Sequence, residues 1–72
     1  MDVNSLLSSS MYKKGHVFRA ANLPKWKCSS WLSGSLKMSP EDINSLRDTL
    51  IDLNFPRKTV NDAIAETLGY YD

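Results

Sequence analysis

The chain has one cysteine and one histidine in 72 residues. A lone cysteine excludes a disulfide framework and leaves a thiolate zinc site without ligands. One histidine is too little for a His-based metal centre or a catalytic triad, so neither a metal nor any other cofactor is expected. No apolar run approaches the length of a membrane span, and no basic patch followed by an apolar stretch opens the chain as a secretory leader does. Paired carboxylates, a nucleophile with its base, and a phosphate-cradling glycine loop are all missing, and an enzyme is therefore not expected. Charge of one sign is also lacking, with nine Lys and Arg against eight Asp and Glu, a net +1. These absences leave a single small intracellular domain over 1–72, with 42% apolar residues to fill one core.

The near-neutral balance hides a division. Residues 1–40 carry Lys13, Lys14, Arg19, Lys25, Lys27 and Lys37 against Asp2 alone, a net +5. Residues 41–72 carry Arg47, Arg57 and Lys58 against Glu41, Asp42, Asp48, Asp52, Asp62, Glu66 and Asp72, a net −4. Two readings fit: a basic face opposite an acidic face, or two solvated surfaces of a neutral protein.

Apolar spacing of 3.6 residues and punctuation by Gly, Pro and Asn divide the chain into about five short helices, with no alternating strand pattern. The first is expected from Asp2 to about Tyr12, with Val3, Leu6, Leu7 and Met11 inward. Its Ser8-Ser9-Ser10 run is a poor helix former. Gly15 suits a cap or hinge, and a second helix over His16–Ala21 turns Val17, Phe18 and Ala21 to the core. Asn22 stands at a turn and tolerates positive φ. Pro24 opens a third helix, Lys25–Ser33, which Gly34 caps. Its inward stripe is Cys28, Trp31 and Leu32, with Cys28 read as a buried small hydrophobe. Ser39-Pro40-Glu41-Asp42 starts a fourth helix carrying Ile43, Leu46, Leu50 and Leu53 and ending near Asn54. Thr59 with Asp62 opens a fifth, with Val60, Ala63, Ile64 and Leu68 inward and Gly69 at its end. The fold class is an all-α compact bundle.

Residues 14–33 form one unit, two short helices joined by a tight turn and followed by a glycine loop. The apolar crossing sites fall on Val17, Ala21, Leu23, Cys28 and Trp31, and the turn site on Asn22. With Cys28-Ser29-Ser30-Trp31-Leu32-Ser33-Gly34 and the Ser39-Pro40-Glu41 start, roughly residues 3–68 resemble the lambda-repressor-like helix-turn-helix family of phage Cro, repressor and Xre-type regulators. Two positions depart from the family pattern. Phe18 replaces a small residue, which should push the second helix outward or re-angle it, and Asn22 replaces glycine.

The resemblance implies that the third helix enters the major groove of double-stranded operator DNA. Lys25, Trp26, Lys27, Ser29, Ser30 and Ser33 are then the base-contact candidates. Lys13, Lys14, His16, Ser35 and Lys37 are the phosphate-contact candidates. The implied protein is a small regulator of a lysis/lysogeny-like genetic switch in the cytoplasm of a bacterial host, acting as a homodimer on paired half-sites. An antirepressor that captures a phage repressor protein instead of DNA is the alternative, with Trp26, Tyr70 and Tyr71 as partner-contact candidates. Trp26 faces away from the core; it folds over Lys14 or Phe18, packs on thymine methyls or sugar, or anchors a protein partner.

Overall fold

A computed structural model describes residues 1–69, and the fold is an all-helical bundle of dimensions 28 × 23 × 21 Å. Five helices follow in order: α1 Val3–Ser8, α2 Lys14–Ala20, α3 Lys25–Leu32, α4 Pro40–Asp52 and α5 Arg57–Gly69. The long helices α4 and α5 pack on each other. Helix α1 lies on α5, α2 on α4, and α3 on α2. One core joins all five helices through Leu7, Phe18, Trp31, Leu46, Leu50 and Ile64 among others. No helix among the described residues is long and apolar enough to cross a membrane.

Caps fix where the helices begin and end. The Asp2 carboxylate accepts the Ser5 N–H at 2.8 Å, and the Ser39 hydroxyl accepts the Asp42 N–H at 3.2 Å, with Pro40 in the first turn. Three helices close in the same way. The residue after the cap turns left-handed: Asn22 (φ 59°) after α2, Gly34 (φ 86°) after α3 and Asn54 (φ 71°) after α4. The next N–H then reaches back five residues, Leu23 to the Phe18 carbonyl, Ser35 to Ser30 and Phe55 to Leu50. This paired bonding satisfies carbonyls that the helix end leaves open. Leu23 and Phe55 also bring apolar side chains back toward the core, with Leu23 buried and Phe55 packed against it.

Several sequence expectations are corrected. Helix α1 stops at Ser8, not Tyr12, because Ser9 and Ser10 hydroxyls bond the Leu6 and Leu7 carbonyls at 3.0 and 2.9 Å. Serine hydroxyls compete with backbone bonding in this way. Met11 therefore leaves the helical register and is 92% exposed instead of inward. Gly15 lies inside α2, which starts at Lys14 and not at His16. Pro24 caps α3 from outside, and α3 ends at Leu32, one residue before Ser33. Helix α5 begins at Arg57, ahead of Thr59, with the Val60 N–H bonded to the Pro56 carbonyl. Leu32, Leu53 and Leu68 are only partly buried at the margin of the core. Phe18 is accommodated within that core at 2% exposure.

One buried polar residue escaped the apolar pattern. Thr67 is 1% exposed, and its hydroxyl accepts the Val3 N–H at 2.9 Å while donating to the Ala63 carbonyl at 2.9 Å. The first helical residue is thereby fastened to the last helix. A buried backbone N–H without that acceptor would cost about 1–3 kcal/mol.

Candidate nucleic-acid interface

Helices α2 and α3 are separated by residues 21–24, and the short turn sets the start of α3 beside the outer face of α2. Two adjoining concavities lie there. One, of about 500 Å³, is lined by Gly15, Phe18, Arg19, Asn22, Leu23, Pro24 and Lys25. The other, of about 640 Å³, is lined by Lys13, Lys14, Gly15, His16, Arg19 and Lys25. They share Gly15, Arg19 and Lys25 and so form one open groove. Lys13, Lys14, Arg19 and Lys25 border it together with His16, and no carboxylate is among its lining residues.

The local chain explains why these side chains converge. Lys13 is the residue before α2 and is exposed. The Lys14 ammonium donates to the Asn4 side-chain carbonyl, which ties the start of α2 to α1. His16 and Arg19 are three apart and occupy one helix face. The His16 ring lies parallel to Tyr12, with centroids 6.3 Å apart and planes at 9°. Tyr12 is itself placed by Phe55, at 5.9 Å between ring centres, and its hydroxyl donates to the Leu53 carbonyl at 3.4 Å. His16 is thus oriented from outside the groove. Arg19 was not among the sequence candidates, although its spacing from His16 is the signal that places it there.

The six base-contact candidates on α3 and its end do not share one environment. Lys25, Trp26, Ser29 and Ser33 are exposed, and Ser30 is half-buried. Trp26 stands 67% exposed, which rules out the arrangement in which it folds over Lys14 or Phe18. Lys27 is the correction. It turns toward α4 and forms an ion pair with Asp42 at the α4 N-terminus, with both side chains largely covered. Its ammonium is spent inside the protein, not presented to a ligand. Ser33 donates to the Ser30 carbonyl at 3.1 Å and lies 3.3 Å from the Ser35 hydroxyl. Ser35 and Lys37 are exposed in the segment after α3 but line neither concavity. Tyr70 and Tyr71 lie outside the described residues.

Electrostatics separate this face from the rest. The Lys27 hydrogen bond and charge, with a smaller contribution from Ser39, hold the Asp42 carboxyl below the usual aspartate value of 3.8. A depressed carboxyl adds stability that is present above the unfolded value and is lost as pH falls through the folded one. Thermal melts of the wild type should therefore fall as pH drops below about 3.8, and Asp42→Asn should remove part of that fall. Equal acid sensitivity of the two proteins would show that the pair is energetically silent. Cys28 lies fully buried behind the helix, as expected, and burial, reinforced by Asp42, pushes its thiol up to about 11. It is protonated at neutral pH. No cluster of three or more His, Cys, Asp or Glu side chains that could hold a metal ion occurs among the described residues.

Against protein-family models, curated proteins and solved structures, the chain gives no match.

Proposed function

We infer that the α2–α3 face binds double-stranded DNA, with α2 and α3 working as a helix-turn-helix and the chain acting as a small transcription regulator. The observation that carries this reading is the groove bordered by Lys13, Lys14, Arg19, Lys25 and His16 without a carboxylate, next to the exposed face of α3. Cations in such a groove contact phosphates and fix position, while the helix beside them faces base edges. In this reading Lys25, Trp26, Ser29 and Ser33 meet the bases, and Lys27 serves the fold. Two copies on paired half-sites would supply the reach that one short helix lacks.

Capture of a partner repressor is the second reading, favoured by the 67% exposure of Trp26. The two differ in their response to salt. Lys13, Lys14, Arg19 and Lys25, each neutralising one phosphate, give a log–log salt slope near −3.6 for generic duplex DNA. Anisotropy titration of a labelled duplex from about 50 to 200 mM salt should then show affinity falling by about 150-fold. Absence of binding at the lowest salt would overturn the DNA reading and turn the search to a protein partner.

A further inference from the structure

Resting on the DNA-binding reading, we propose that Trp26 is a specificity-determining residue that reads the C5 methyl group of pyrimidines in the major groove. Its position on α3 argues this first. Ser33 follows it by seven residues, almost two full turns, so both lie on one line along the helix. Ser29 and Ser30 follow it by three and four residues and flank that line. The buried Cys28 and Trp31 occupy the other side. The indole is therefore the one large side chain among short hydroxyls, and it reaches a surface facing α3 ahead of them.

The chemistry of the indole narrows what it recognises. It offers one N–H donor and no acceptor, and the rest of its surface is apolar. On the major-groove edges of the four base pairs, the apolar feature is the thymine methyl. A protein partner anchored by tryptophan presents a desolvated pocket, matched by neighbouring apolar surface on the anchor's own side. On α3 itself Trp26 is flanked by Lys25, Ser29 and Ser33, and the other exposed large hydrophobics among the described residues, Met1 and Met11, lie outside α3. An isolated aromatic on a polar, cationic face fits a ligand that is anionic and polar with methyl-sized apolar spots. Duplex DNA containing thymine, or 5-methylcytosine, is such a ligand.

The test uses two labelled duplexes of equal length, one of alternating dA·dT and one of alternating dA·dU, titrated with the intact protein at equal salt. They differ in the C5 methyl alone. The dA·dT duplex should bind more tightly, by about fourfold for each methyl group buried. Trp26→Ala should bind both duplexes alike and keep the wild-type salt slope, because the groove cations are untouched. Equal wild-type affinity for the two duplexes overturns the proposal, as does a preference that survives Trp26→Ala. Binding to neither duplex overturns the DNA reading on which it rests, so the two failures are distinguishable. Trp26 is 67% exposed, and the thermal melt of the variant checks that its fold is retained.

Discussion

Replacing Lys13, Arg19 and Lys25 together with alanine is expected to abolish most salt-sensitive DNA binding while leaving the fold intact. Each of the three borders the groove, and each is exposed. None is in an ion pair among the described residues, where the side-chain pair is Lys27 with Asp42. Removing exposed, unpaired side chains changes stability by no more than about 0.5 kcal/mol per site. Each phosphate contact, by contrast, contributes about −0.9 to the log–log salt slope. The triple variant should therefore retain a slope near −0.9, where the wild type has about −3.6. From 50 to 200 mM salt its affinity then falls about 3.5-fold, against about 150-fold for the wild type. An unchanged slope would mean that the contacts lie elsewhere, on Lys37 or beyond the groove.

Trp31→Ala should be the most damaging single substitution in the molecule. Trp31 heads the fully buried side chains by volume, at 1% exposure. Truncating a buried tryptophan costs about 3–5 kcal/mol in lost transfer energy and cavity. A domain of this length has about 4–11 kcal/mol of total stability. The thermal midpoint followed by circular dichroism should consequently fall by about 15 °C or more. Because α3 packs on α2, the groove should lose its shape at the same time. A fall of only a few degrees would show that α3 is held by something other than its core stripe. Trp26→Ala, five residues earlier and on the opposite side, should be nearly neutral for stability.

Periodicity made the apolar skeleton legible in the sequence. Val17, Ala21, Leu23, Cys28 and Trp31 are all buried, and Asn22 does adopt positive φ. The Ser39-Pro40 start also formed as its local chemistry dictates. What escaped was either tertiary or masked by residue type. Thr67 carries no apolar signal, and its role depends on Val3, 64 positions away. Met38 is buried in a connecting segment that has no helical period to announce it. The early end of α1 came from the Ser9 and Ser10 hydroxyls taking the Leu6 and Leu7 carbonyls, which the Ser10 and Met11 N–H groups would hold in a continuing helix.

The candidate site divides along the same line. Lys25 and Trp26 were legible as outward residues because helix spacing alone decides their direction. Lys27 was not, since its partner Asp42 belongs to another helix. The spacing of Arg19 from His16 puts the two on one helix face, but its place in the groove depends on the turn that brings Lys25 beside it. Charge counting over residues 1–40 pointed to a basic region but could not tell that Lys37 lines no part of the groove.

If DNA meets this protein on α2 and α3, amide chemical-shift mapping will show it directly. Isotope-labelled protein would be titrated with a short generic duplex at about 50 mM salt. Shifts should concentrate in residues 13–19 and 25–33 and should reverse as salt is raised. Shifts concentrated on α4 and α5 instead, or a spectrum that DNA leaves unchanged, would contradict the account.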